Sequence, residues 1–157
     1  MESGVNQHEL DGQDEVRLLV DKILKWQVTF KDKRDHVLKD LQSDGFTGSL
    51  ANIFTFSNLK NKYSDFCPQY PKGETCHPLV EKDLYCYHCA CPHYDLGDSP
   101  YEQENHLFIG RCTIQSRKHK YIKHKGIHST KQELYILSCE DCLIPHTMSF
   151  VQQMDKP

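Results

Sequence analysis

Cys86-Tyr-His-Cys89-Ala-Cys91-Pro92-His93 and Cys139-Glu-Asp-Cys142-Leu-Ile-Pro145-His146 decide how this chain is read. Each is a Cys-x-x-Cys that runs on to Pro-His, and the two align without a gap. A Cys-x-x-Cys turn aims two thiolates at one ion, and backbone amides in the turn can hydrogen-bond the sulfurs. The Pro-His tail stiffens the exit and brings a nitrogen ligand close by. Two such knuckles in one small chain predict a metal site.

All eight cysteines lie between positions 67 and 142: Cys67, Cys76, Cys86, Cys89, Cys91, Cys112, Cys139 and Cys142. His77, His93 and His146 each stand within four residues of one of them. These candidate ligands exceed what one tetrahedral ion needs and fit two sites of four. Cys86 and Cys89 are expected to share an ion, and Cys91, if locally extended, points away to serve a second. Cys139 and Cys142 would complete one site, leaving Cys67, Cys76, Cys112 and a histidine for the other; the sequence leaves this allocation open. His146 is the best placed histidine, because its Pro-His follows a cysteine pair. His77 and His93 read equally as ligands or as residues orienting a ligand, and His88 and His106 as surface residues. Soft thiolates suit zinc and iron–sulfur clusters alike. Scattered pairs with histidines favour zinc, while the compact Cys-x-x-Cys-x-Cys keeps an iron–sulfur cluster as the alternative.

The bulk composition supports metal over disulfides. With 157 residues, 26% charged and 38% hydrophobic, the chain reads as one soluble domain, or a small domain with a helical extension. A net charge of -3 predicts neither nucleic-acid nor membrane binding. There is no apolar run near the roughly 18 residues of a spanning helix. The polar, acidic opening Met-Glu-Ser-Gly-Val-Asn lacks the basic and apolar regions of a secretory signal. A cytoplasmic location is therefore expected, where thiols stay reduced and clustered cysteines are more often ligands.

Residues 1–13 read as a disordered polar lead. Over 14–41, Val16, Leu19, Val20, Ile23, Leu24, Val37, Leu38 and Leu41 recur at three- and four-residue steps and predict helix, with Val28-Thr29-Phe30 as a possible interruption. Gly45 and Gly48 mark a break, and a second helix over 50–60 would bury Ile53, Phe54 and Leu59. The rest is rich in turn formers, with short strands at Leu107-Phe108-Ile109 and Leu134-Tyr135-Ile136-Leu137. The expected class is α+β: an N-terminal helical extension (1–60) packed on a small, loop-rich, metal-stabilised cysteine-rich domain (61–148), then a frayed tail (149–157). So loop-rich a segment buries little apolar surface, and an ion is expected to supply part of its folding energy.

The order of motifs adds a family. Tyr70-Pro71…Cys76-His77, then Leu84-Tyr85-Cys86-Tyr87-His88-Cys89-Ala90-Cys91-Pro92-His93-Tyr94, then Cys139-Glu-Asp-Cys142-Leu143-Ile144-Pro145-His146 resembles the cysteine-rich small domain family over roughly residues 60–148. That family carries Cys…Pro-Cys-His, Asn-Cys-x-x-Cys-x-Cys-Pro-Leu-Tyr and Cys-x-x-Cys-x-x-Pro-His elements in this order. Here Lys72-Gly73-Glu74-Thr75 separates Pro71 from Cys76, His93 replaces the usual Leu, and no Cys-Gly-Gly surrounds Cys112. The resemblance implies metal binding. The family's occurrence in anaerobes near cobalamin-related proteins implies, as an alternative, an accessory or metal-handling role in corrinoid or metal-cofactor metabolism.

Between positions 111 and 131 stand Arg111, Arg117, Lys118, Lys120, Lys123, Lys125 and Lys131 without one acidic residue, and His119, His124 and His128 are interleaved with Tyr121. This is either a footprint for phosphate or RNA or a solvated hairpin compensated by the acidic N-terminal half. With only Tyr121 to stack a base, the hairpin is preferred, and weak, salt-labile nucleic-acid binding is expected of it. No His-Glu-x-x-His or His-x-Glu…Pro-Cys-x-x-Cys motif points to a zinc hydrolase. The expected function is that of a non-enzymatic intracellular protein with two zinc sites stabilising a module that meets a protein partner.

Overall fold

The computed structural model describes residues 7–125 and 132–154, with side chains from 12 to 125 and from 132 to 153. The apolar steps wind into one unbroken helix, α1 (Gln7–Ser43), of 37 residues. This corrects two expectations: residues 7–13 are helical rather than a disordered lead, and Val28-Thr29-Phe30 pass without a break. Phe30 is buried in the core, and burying a Phe outweighs the few tenths of a kcal/mol by which β-branched and aromatic residues disfavour helix. The helix stops where Gly45 takes φ +70, a left-handed conformation that suits glycine. Gly45 N–H then donates to Gln42 O at 3.1 Å and Phe46 N–H to Leu41 O at 3.0 Å, a Schellman cap.

The chain divides into two compact units, Met1–Gln27 with His93–Glu140, and Val28–Pro92 with Asp141–Pro157. In the first, strands β1 (Tyr94–Asp95) and β4 (Arg111–Cys112) pair antiparallel, with Tyr94 opposite Cys112. Strands β2 (Tyr101–Gln103), β3 (His106–Ile109), β5 (Lys120–Lys123) and β6 (Leu134–Ser138) form a sheet in the order β2-β3-β6-β5. Its β3–β6 pair is parallel and the others are antiparallel. The two expected strands are thus β3 and β6. Alternation turns Leu107, Ile109, Leu134 and Ile136 to one face, where Val16, Leu19, Val20 and Ile23 of α1 cover them. Phe108 stacks on Tyr101 and Tyr135 on the other face, each at 5.4 Å between centroids. Gly110, at φ +83, lies so close to the Tyr94 ring that a Cβ there would come within 2.8 Å of it. That approach lets the Tyr94 hydroxyl donate to Leu137 O at 3.1 Å.

In the second unit the expected helix over 50–60 is two, α2 (Leu50–Ile53) and α3 (Phe56–Lys62). Thr55 between them is extended and caps α3, its hydroxyl accepting from Asn58 N–H at 3.3 Å. The break lets Thr55 bridge antiparallel to Tyr85. Phe56 N–H donates to Leu84 O at 2.8 Å and Cys86 N–H to Phe54 O at 2.7 Å. Around this bridge lie Phe30, Val37, Leu41, Phe54, Phe56, Leu59, Phe66, Tyr70, Leu84 and Cys86. Phe54 meets Phe66 and Tyr87 edge to face, and Phe56 meets Tyr70 at 4.6 Å. The cysteine-rich segment therefore folds on an aromatic core supplied largely from residues 30–70. The tail corrects a further expectation, since α4 (Met148–Met154) is helical and buries Phe150 and Val151.

Phe54→Ala should lower stability by about 3–5 kcal/mol, the cost of emptying a fully buried aromatic position. Thr55→Ala should cost about 1 kcal/mol through the lost cap. Urea denaturation of the two variants beside the parent checks both values and their order.

Candidate metal centre

Cys86 is buried where the Thr55–Tyr85 bridge holds it, and Cys89 follows one turn later, half-buried. Cys67 precedes a 3₁₀ turn, Tyr70–Lys72, that Pro71 favours, and its carbonyl accepts Tyr70 N–H at 3.1 Å. Cys76 lies beyond Gly73, at φ +69 where that turn ends. The four thiols are within electrostatic reach of one another, all in the second unit.

Their protonation follows from that grouping. The Cys89 thiol hydrogen-bonds the Cys86 sulfur and holds Cys86 below its ordinary value, against burial and with help from the Tyr70 hydroxyl. The same bond raises Cys89 well above its own value, and burial and repulsion from the other three sulfurs add to this. Of the pair, Cys86 is thus the one that gives up its proton first. Burial pushes Cys67 up, while backbone N–H groups of Gln69 and Tyr70 and the ammonium of Lys33 pull it back. Lys33 is anchored there by the carbonyls of Asp65 and Phe66, at 3.0 and 3.3 Å. Cys76 is exposed as a residue, yet burial around its sulfur, then Cys86 and Cys67, push its thiol up to about 11. The buried Tyr70 hydroxyl is raised by burial and then by Cys86, the sulfur it addresses.

The histidines divide. His77 Nδ1 lies 3.2 Å from Cys76 Sγ, and its ring packs on His146 at 4.2 Å. His146 is buried, with Nδ1 at 3.0 Å from Tyr85 O, so that nitrogen carries the proton and Nε2 the lone pair. His88, expected on the surface, is buried edge-on to Tyr87 and Phe150, because residue 88 falls inside the turn that the core encloses. His106 is half-buried, edge-on to Tyr135. In the first unit, His93 Nδ1 meets Thr113 Oγ1 at 3.0 Å, and Thr113 N–H donates back to His93 O at 2.9 Å.

The remaining cysteines fall in both units: Cys112 and Cys139 in the first, Cys91 and the buried Cys142 in the second. Cys112 Sγ accepts the Ser116 N–H at 3.4 Å. Cys139 adds to burial in pushing the Tyr94 hydroxyl up to about 12. Cys86 and Cys89 therefore keep company with Cys67 and Cys76. Among the described residues, no three or more His, Cys, Asp or Glu side chains already stand in ion-holding geometry. The grouping of the four sulfurs is electrostatic proximity, short of a formed coordination shell.

The basic stretch ends in the expected hairpin, β5 with β6. Its compensation is mostly local: Lys123 pairs with Glu133, Lys120 with Glu140 at 3.9 Å and Arg111 with Asp98 at 3.3 Å. From the N-terminal half, Glu15 meets His124 at 3.4 Å. His128 and Lys131 lie outside the described residues.

Comparison with family models, curated proteins and solved structures finds no match for this chain. The likeness to the cysteine-rich small domain family rests on its motifs alone. Tyr70 and Lys33 escaped the sequence reading. Tyr70 has a local signal, standing three residues after Cys67 in a Pro-bearing turn, whereas Lys33 is brought in from α1 by the fold.

Burial, then the neighbouring His77 ring, lower His146 from 6.5 to about 4, against the pull of the Tyr85 carbonyl. Between those values the unfolded chain binds the proton and the folded chain does not. Stability from this group is therefore full above about pH 6.5 and falls as pH drops toward 4. The His146 Cε1–H resonance should stay flat from about pH 7.5 to 5; a midpoint near the ordinary histidine value of about 6.5 would contradict the buried, neutral assignment.

Proposed function

We propose that the chain is a metal-binding protein that holds one thiophilic ion, zinc in the first instance, on Cys67, Cys76, Cys86 and Cys89. The observation that carries this is the grouping of four thiols in one unit, each perturbed by burial and by at least one of the others. A buried set of sulfurs cannot ionise together without a counter-charge, and a dication supplies it while accepting the four thiolates as a tetrahedral shell. Backbone N–H donors from Gln69 and Tyr70 to Cys67 fit the outer contacts such a shell uses, and the Tyr70 hydroxyl, buried beside Cys86 without a hydrogen-bond partner among the described residues, is available to add another. Closing it requires the thiol protons of Cys67, Cys76 and the Cys86–Cys89 pair to leave for solvent and the side chains to draw in.

The reading is carried for one of the two sites expected from the ligand count. With a hydrophobic core already present around Cys86, the ion tightens the segment 67–89 and leaves a preformed surface for a protein partner. A non-enzymatic, intracellular module with a structural ion is the role we assign. An iron–sulfur cluster on the same four sulfurs is the second reading, favoured by the all-thiolate set. It would bring with it the metal-cofactor role that the family resemblance implies.

Anaerobically purified protein should contain about one equivalent of zinc per chain in this unit and be colourless; broad visible absorption with iron and sulfide would select the cluster. Cys86→Ser and Cys89→Ser should each reduce bound metal severely, whereas His106→Ala should leave it unchanged. Chelation should loosen residues 67–89 in hydrogen exchange while the central part of α1 stays protected. Full metal content in Cys86→Ser, with the fold intact by circular dichroism, would sink the four-thiolate site.

A further inference from the structure

The first unit contains a cleft of about 600 Å³, within the range that holds a small molecule. Its lining includes Tyr101, Arg111, Gln115, His119 and Tyr121, together with the exposed carboxylate of Glu102, which strand alternation turns to the opposite face of β2 from Tyr101. Tyr121 donates its hydroxyl to Gly110 O at 2.9 Å, so its oxygen accepts from the Tyr101 hydroxyl at 2.9 Å. Both protons are then used, and the Tyr101 oxygen keeps lone pairs as an acceptor. These tyrosines come from β2 and β5, the two edges of the four-stranded sheet. Their bond draws the edges together across Phe108, which stacks on Tyr101 and stands edge-on to Tyr121 at 5.1 Å. The aromatic wall of the cleft is pinned.

Arg111 lies 3.9 Å above the centre of the Tyr101 ring and 3.3 Å from Asp98. Stacking holds the guanidinium flat and its remaining N–H donors in a fixed fork. The Asp98 side chain is 76% exposed, and so open a pair is weak enough to be exchanged for a ligand's anion. Residues 113–119 supply another part of the lining and are folded around Ser116, which gives its N–H to Cys112 Sγ and receives those of Lys118 and His119. His119 Nδ1 faces the Ser116 carbonyl, so it carries the proton and Nε2 is the ring nitrogen turned to other uses.

We propose that this cleft binds a small molecule bearing an oxyanion, a phosphate ester or a carboxylate, on a planar body. Arg111 forks the anion, and the Tyr101 oxygen and His119 Nε2, both acceptors, take N–H or O–H groups of the planar body against the aromatic wall. A long polyanion is the poorer fit, because the carboxylates of Glu140 and Glu133 stand beside Lys120 and Lys123 and the sheet edges are drawn together over the rings. The inference is independent of the metal reading, whose four cysteines belong to the other unit.

The test is titration of the full chain, followed by calorimetry and NMR, with uridine 5′-monophosphate, orotate and neutral uridine. At least one of the two anions should bind saturably and move the Arg111 and His119 side-chain resonances, and uridine should not. The tighter anion identifies phosphate ester or carboxylate. Arg111→Gln should weaken binding about tenfold or more, as expected for loss of a charge-assisted hydrogen bond. Arg111→Lys, which keeps the charge and loses the fork, should also weaken it and stands in should Arg111→Gln fail to fold. Lys118→Gln, exposed on the same stretch, should change nothing. Equal binding of uridine, no saturable binding of either anion, or full affinity in the folded Arg111 variants would overturn the proposal. Binding only by oligonucleotides, lost in Lys120→Gln and Lys123→Gln, would overturn it in favour of a strand-binding surface.

Discussion

The antiparallel bridge between Thr55 and Tyr85 is the constraint on which the second unit depends. Its two backbone hydrogen bonds, Phe56 to Leu84 and Cys86 to Phe54, fix which side chains face inward. On an extended segment neighbours alternate, so Leu84 and Cys86 enter the aromatic core while Tyr85 turns to Ala51 and Val151. The hydrogen bonds contribute about 1 kcal/mol each net, whereas fully burying Phe54, Phe56 and Leu84 contributes about 1.5–3 kcal/mol apiece. The rings supply most of the free energy and the bridge supplies the register. A cysteine sulfur is thereby fixed by the same core that folds the unit.

That placement sets the chemistry of the neighbouring thiols. A sulfur beside aromatic rings loses the solvation that would support a thiolate, so the protein substitutes other groups: the Cys89 thiol and the nearby Tyr70 hydroxyl at Cys86, and the backbone of the 69–70 turn at Cys67. These outweigh burial for Cys86, partly offset it for Cys67 and leave Cys76 and Cys89 raised. The asymmetry follows from position, since the lowering contacts converge on Cys86 and Cys67.

Much of this was legible in the residues. Apolar steps gave α1, because a pattern of period 3.6 survives whatever the helix packs against. The two short apolar runs became β3 and β6, since β-branched and aromatic residues bounded by turns have little other option. The break at Thr55 was not read, although a threonine three residues before Asn58 is an ordinary N-cap signal. Its use depends on a partner at Tyr85, 30 positions away, that no local pattern announces. Helical starts and ends also escaped: polar residues 7–13 continue a helix already nucleated downstream, and Phe150 and Val151 gain order from burial. At the site, the cysteine spacing marked Cys86 and Cys89 as partners. The company of Cys67 and Cys76 came from the turn at Tyr70–Lys72, and the burial of His88 from packing on a helix near the other end of the chain. Long-range packing, rather than local propensity, accounts for each of these gaps.

Each compact unit is assembled from two stretches of chain, and the path passes from one to the other near positions 27, 92 and 140. This has a consequence for biosynthesis. As the chain leaves the ribosome, residues 28–92 emerge with Phe54, Leu84 and Cys86 ready to collapse, but Val151, fully buried against Ala51 and Tyr85, is made only after all of residues 93–140. The second unit therefore waits on the segment that holds Val151, and until that segment arrives its nascent form exposes apolar surface and thiols together. A truncation before Val151 arrests the molecule at that vulnerable stage, open to oxidation and to chaperone capture.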